Sequence, residues 1–209
     1  IDTFLLWKLT EGAVYATDVT NAARTSLLNI STLEWDQDLI KLFELEKINL
    51  PEIKKNADDF GSTTLFGGKI KISGMAGDQQ AALFGQTCFE AGDIKSTYGT
   101  GCFLILNTGN QILRSQNKLL STIGYKIDQE VVYALEGSIF VAGALIQWLR
   151  DKMKFFVSAP ESEALAKTAN GNSEIIIIPS FTGLGAPFWN PDVKGSIHGI
   201  SLDTTQQDI

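Results

Sequence analysis

The sequence predicts a mixed α/β fold organised as two halves that meet near residues 87–93. Helix-period apolar stretches and short β-rich runs follow one another along the chain, a pattern that fits neither an all-α nor an all-β class. Hydrophobic residues make up 44% of the 209, enough to enclose a core in one large domain or two small ones. After Gly92 the pattern turns to two adjacent β-rich runs, which marks the start of a new sheet.

The chain opens on an amphipathic helical pattern, Phe4, Leu5, Leu6 and Leu9, followed by strand-like "AVYA". "TDVTNAARTSLLN" reads as a polar loop running into an apolar pair. In "EWDQDLIKLFEL", Trp35, Leu39, Leu42 and Phe43 recur at helical spacing, and Asp36 is placed to cap that helix or favour its positive end. A proline-containing connection leads to "GGKIKISGMAG", whose alternation reads as a strand over 69–75, and then to a short helix, "QQAALFG". "DIKSTYGTGCFLILNTGN" reads as a hairpin joined by Gly99-Thr100-Gly101. "VVYALEGS" is a further strand, and Ser138 is placed to cap "IFVAGALIQWLRDKMKFF", a long helix so apolar that deep packing is expected. "NSEIIIIPSF" reads as a continuous buried strand, and "TGLGAPFWNPDVKGSIHGIS" as a glycine and proline loop leading into a last short strand. There is no internal repeat or low-complexity tract.

Charge and composition narrow the function classes. A net charge of -7 argues against nucleic acid or an anionic membrane as the main partner. Cys88 and Cys102 form neither a CxxC pair nor a disulfide framework, and His198 is the sole histidine, so a zinc site or a histidine-based triad lacks material. A metal would be hard and oxygen-bound. No window reaches the roughly 18 apolar residues of a membrane span. "IDTFLLWKLTEG" lacks the basic flank and cleavage site of a signal peptide, so a reducing cytoplasm is the expected compartment. The chain starts within a helical pattern and stops at "TTQQDI", where Thr204 or Thr205 is placed as an N-cap; it reads as an internal fragment.

Three groups of residues could carry chemistry. Asp78 lies in "GMAGDQQAALFGQ", a small-residue stretch that otherwise reads as buried, where an unpaired carboxylate would be costly. It is either an N-cap or a general base that takes a proton from an attacking hydroxyl during phosphoryl transfer, and one residue can do both. Gly99-Thr100-Gly101 is either a plain hairpin turn or a turn whose backbone N–H groups and hydroxyl hold phosphate oxygens. Gly143 and Gln147, four apart on one helix face, serve either close packing or a flat ligand. The chain has no GxxxxGK[ST], so a P-loop enzyme is not supported.

Together "TDVTNAARTSLLNISTLEWD", "SGMAGDQQAALFGQ", "STYGTGCFLILNTG", "YALEGSIFVAGALIQWLRD" and "FTGLGAPFWNPDVKGSIHGIS" resemble the glycerol-phosphorylating members of the FGGY carbohydrate kinase family along the whole chain. The resemblance implies a partial actin-like ATPase (ribonuclease H-like) α/β fold. Residues 1–88 would be the C-terminal part of the first, polyol-binding domain, and 89–209 the N-terminal part of the second, nucleotide-binding domain. It implies ATP-dependent phosphorylation of glycerol, with Mg²⁺ bridging the phosphates. Asp78 would be the catalytic base, touching the metal indirectly; Gln79 would hydrogen-bond the polyol, and Phe103 would form its apolar wall. Gly99 and Thr100 would meet the phosphates, and Gly143 and Gln147 would line the nucleotide site. Gln after the Asp favours glycerol over a pentulose. The resemblance also implies a homo-oligomeric parent enzyme and little activity in these residues alone. Rival readings are a pentulose or gluconate kinase of the same family, and a non-catalytic actin-like binding or assembly element. In some bacterial members a glycine and arginine loop before the "ISG" strand binds fructose 1,6-bisphosphate. Here "FGGKIKIS" is shorter, with Lys69 in place of the arginine fork, which weakens the case for such inhibition.

Overall fold

The computed structural model describes residues 1–169, 171 and 174–209. In chain order its elements are α1 (Asp2–Leu9), β1 (Ala16–Asp18), α2 (Val19–Ala22), β2 (Leu28–Asn29), β3 (Glu34–Trp35), α3 (Gln37–Leu42), β4 (Glu52–Lys54), β5 (Ser62–Thr63), β6 (Ile70–Lys71), α4 (Asp78–Gly85), β7 (Ile94–Tyr98), β8 (Cys102–Gly109), β9 (Leu120–Ile127), β10 (Glu130–Ile139), α5 (Gly143–Asp151), α6 (Glu161–Ala166), β11 (Ile176–Ile178) and β12 (Ser196–His198), with a last 3₁₀ turn at Gln206–Asp208. The four-stranded sheet has the order β7-β8-β10-β9, and the remaining strands form two-stranded pairs. The chain divides into two compact units: residues 1–95, 105–115 and 120–136, and residues 96–104, 116–119 and 137–209.

In the first unit, α1 turns Leu6 inward against Ala16 and Phe60, and its Asp2 and Lys8 suit the two ends of the helix dipole. β1 pairs in parallel with β4, Ala16 opposite Glu52. Residues 17–29 are not the polar loop expected from sequence. The Asp18 carboxylate accepts the N–H groups of Thr20 and Asn21 and so caps α2, whose Val19 and Ala22 pack with Leu28 and Ile123. Asp36 does cap α3, taking the N–H groups of Asp38 and Leu39. The buried side chain there is Ile40, whereas Leu42 and Phe43 are exposed and Trp35 sits in β3, its indole N–H donating to the Pro51 carbonyl at 2.8 Å. The expected strand over 69–75 shrinks to β6, paired with β5. β9 was not foreseen; it pairs antiparallel with β10, with a bulge between Val132 and Tyr133. α4 buries Leu83 in a cluster with Cys88, Ile105 and Ala134.

In the second unit, α5 is shorter than the helix expected over 139–156. Ser138 and Ile139 belong to β10, so Ser138 is not the cap of α5; Ala142 stands at the N-cap, without a side-chain cap bond. The helix starts where it does because backbone carbonyls receive its first N–H groups: Gly143 N–H donates to Gly99 O at 2.9 Å and Ala144 N–H to Thr100 O at 3.1 Å. Only Leu149 of α5 is buried, so deep packing all round is not realised. Trp148 packs on Phe181 and Phe140 on Trp189, and the Trp189 indole N–H donates to Lys118 O at 2.7 Å. β11 pairs antiparallel with β12, but Ile176 is 61% exposed, so the isoleucine run is not a buried strand. Asn172 and Ser173 of that expected strand lie outside the described residues. Thr205 forms a reciprocal capping box with Asp208, as its N-cap reading anticipates.

Candidate active site

Asp78 is the first residue of α4, not its cap; Gly77 holds the N-cap position without a side-chain bond. The carboxylate is exposed, so the burial cost inferred from its small, apolar neighbours does not arise. Its Oδ2 accepts from Gln79 Nε2 at 3.1 Å. Gln79 Oε1 accepts in turn from the ammonium of Lys95, a residue only 1% exposed. The amide is thus held by a charge on one side and turned towards the carboxylate on the other. At the head of a helix, Asp78 also sits where the dipole favours a negative charge.

The loop that delivers Asp78 is fixed by buried polar groups that the sequence reading missed. Thr20 Oγ1 accepts the Gly77 N–H at 2.9 Å and donates to Asp18 Oδ1, which also takes Asn56 Nδ2 at 2.8 Å. Asn56 binds Met75 in both directions, its Nδ2 donating to Met75 O at 2.9 Å and its carbonyl accepting Met75 N–H at 3.0 Å. Its Oδ1 receives Lys126 N–H at 2.7 Å. Near this loop, the Asp59 N–H holds the Asp58 carboxyl below its ordinary pKa, aided by the Lys55 N–H and by Lys54 and Lys55. The clue to Asp18 was the Asp-x-Thr-Asn pattern, which is N-cap chemistry. Asn56, 38 residues further on, left no local signal. Arg24 and Glu136 make a two-pronged ion pair at 2.6 and 3.2 Å, and Glu136 is 1% exposed. Their separation of 112 residues hides that pairing from any sequence window.

The second unit gathers Gly99, Thr100 and Gly143. Gly99 N–H closes the turn onto Gly101 O at 2.8 Å, and the Gly99 and Thr100 carbonyls hold the first turn of α5. A Cβ on Gly143 would lie 2.6 Å from Gly99 O, so glycine is required by this close approach. A Cβ on Gly101 would meet Ile139 O at the same distance. Thr100 and Gln147 are exposed, one at the tip of the turn and the other on α5; Phe103, on β8, is half-buried. The turn and the head of α5 therefore form one rigid backbone corner that presents a hydroxyl and an amide side chain.

Residues 1–85 match the profile of the N-terminal domain of the FGGY family of carbohydrate kinases, and residues 94–209 match that of its C-terminal domain. The chain belongs to the FGGY family of carbohydrate kinases. It is 55% identical to a glycerol kinase of Streptococcus uberis over 212 aligned residues, which cover all of this chain and 42% of that protein. A glycerol kinase of Streptococcus pneumoniae (strain Hungary19A-6) is 52% identical with the same coverage. The crystal structure of Plasmodium falciparum glycerol kinase with ADP superposes with a TM-score of 0.85 at 40% identity, covering 99% of this chain and 42% of that one. A ligand-bound xylulose kinase from Lactobacillus acidophilus superposes at 0.79 with 23% identity, covering 99% of this chain and 43% of its own, a likeness of fold alone. The fold is the actin-like ATPase α/β fold of these sugar kinases. The chain spans less than half the length of the relatives it matches.

Proposed function

We propose that the whole protein is a glycerol kinase, transferring the γ-phosphoryl group of ATP to a primary hydroxyl of glycerol. The observation that supports this best is the Asp78–Gln79 pair: an exposed carboxylate at a helix head beside an amide held by buried Lys95. Its setting agrees, a chain 55% identical to a glycerol kinase. In this reading the glycerol oxygen attacks phosphorus as its proton passes to Asp78; the new O–P bond forms while the bond to ADP breaks. Gln79 orients the polyol hydroxyls and Phe103 faces its carbon side. Gly99 and Thr100 hold phosphate oxygens, and Gly143 and Gln147 line the nucleotide.

Among the described residues no three His, Cys, Asp or Glu side chains converge as a metal cage. The lone exposed Asp78 suits an ion that takes most of its ligands from water and phosphate. Asp78 would help hold Mg²⁺ indirectly, and the ion would supply positive charge against the negative charge that develops on the transferring phosphoryl group. Residues 1–88 then belong to the polyol-binding domain and 89–209 to the nucleotide-binding one. The reading carries a cytoplasmic, homo-oligomeric enzyme with it; no helix among the described residues is long and apolar enough to cross a membrane.

The test is ATP-dependent ADP release by the full reading frame containing this chain, offered glycerol, xylulose and gluconate, with Asp78→Asn alongside. Glycerol-dependent release is expected, falling by about 10²–10⁴-fold in the variant. Preference for xylulose or gluconate moves the assignment within the family, and no release with any polyol from a folded protein removes the kinase reading.

A further inference from the structure

Asp78 has no cap of its own, yet its backbone position is set from outside the helix. Gly77, immediately before it, gives its N–H to Thr20 Oγ1 at 2.9 Å. Thr20 is fully buried, and its hydroxyl is used to capacity. It donates to Asp18 Oδ1 and accepts from Gly77 N–H and, at 3.3 Å, from Asn56 Nδ2. The far side of this junction is equally constrained: Asp18 is 0% exposed, and its Oδ1 also takes the Thr20 N–H at 2.8 Å.

We infer that Thr20 is a positioning residue for Asp78: its hydroxyl fixes where α4 begins and so aims the carboxylate at the substrate hydroxyl. This rests on the reading of Asp78 as the base. The sequence separation of 57 residues between Thr20 and Gly77 means that no local propensity duplicates the contact. A misplacement of about 1 Å at a reacting group can cost on the order of 10²-fold in rate. Thr20 touches none of the groups proposed to contact glycerol or nucleotide, so its loss should act on turnover and leave nucleotide binding alone.

Three variants of the full-length protein decide this: Thr20→Val, which keeps the shape and removes the hydroxyl; Thr20→Ser, which keeps the hydroxyl; and Ile123→Val, a core change in the same unit that serves as a stability control. Thr20→Val should lower kcat by roughly 10- to 100-fold with KM for MgATP unchanged. It should also abolish the exchange protection of the Gly77 amide. Thr20→Ser should restore both, and Ile123→Val should change neither. Wild-type kcat in Thr20→Val, or equal losses in the Ser and Val variants, would overturn the inference. Asp78→Asn, measured in the same series, separates the two ideas. If it collapses while Thr20→Val does not, only the positioning role fails; if it keeps wild-type kcat, the base reading fails and this inference with it. A Gly77 amide that stays protected in Thr20→Val rejects the structural premise whatever the rates.

Discussion

Gly143 and Gln147 share a helix face and a proposed ligand, but they differ in what surrounds them, and this separates packing from binding. A methyl on Gly143 would meet the Gly99 carbonyl oxygen at 2.6 Å and its carbon at 3.4 Å, both backbone atoms that cannot swing aside. Gly143→Ala should therefore destabilise the protein by about 1–3 kcal/mol and weaken nucleotide binding by displacing the turn. Gln147 is exposed, so Gln147→Ala should leave stability within about 0.5 kcal/mol and weaken nucleotide binding alone. Urea unfolding together with ADP titration on both variants checks this. If Gln147→Ala binds ADP as tightly as the parent, the face belongs to packing only. Cys88 is a further contrast: burial, the largest cause, raises its thiol pKa, so it reads as a core residue with Leu83 and Ile105 and not as a nucleophile.

Between elements, the Arg24–Glu136 pair ties the end of α2 to β10. Replacing Arg24 by Met removes two charge-assisted hydrogen bonds from a carboxylate that is 1% exposed. The expected loss is roughly 1.5–3 kcal/mol, moderated because the Arg24 side chain is itself partly solvated. A chemical-denaturation midpoint unchanged in Arg24→Met would show the pair to be energetically idle. Contacts of this reach explain where sequence reading worked and where it did not. Asp36, Thr205 and the Gly99-Thr100-Gly101 turn were legible because cap and turn chemistry acts within a few residues. α5 was misjudged because its start is set by carbonyls from the turn over 40 residues earlier, which left Ile139 to the strand and Ser138 without a helix to cap. α2 was missed for a different reason: four residues carry too little periodicity to register, and only the Asp18 cap marks them. At the site, Asp78 and Gln79 could be picked out as polar residues in small-residue surroundings, whereas Thr20, Asn56 and Lys95 act only through folded contacts.

At the scale of the molecule, charge poses a problem that the proposed chemistry must solve. These 209 residues carry a net charge of -7, while ATP and ADP are polyanions, so long-range electrostatics opposes nucleotide approach. In the proposed reading the corner built from Gly99, Thr100 and Gly143, whose Gly99 and Gly143 N–H groups are already bonded within it, would meet phosphate with the exposed Thr100 hydroxyl instead of lysines, which adds no positive charge. In that reading, neutralisation would then come largely from the Mg²⁺ that accompanies the nucleotide. The full-length protein should therefore be stabilised much more by ADP with Mg²⁺ than by ADP in excess chelator. At a ligand concentration 100 times Kd the gain for the Mg²⁺ complex is about 2.7 kcal/mol, a shift of several degrees in Tm. Thermal denaturation with ADP, with and without Mg²⁺, measures the difference directly. Equal shifts would mean that protein cations outside this corner carry the phosphate charge, and the assignment of Gly99 and Thr100 to the phosphates would lose its physical basis.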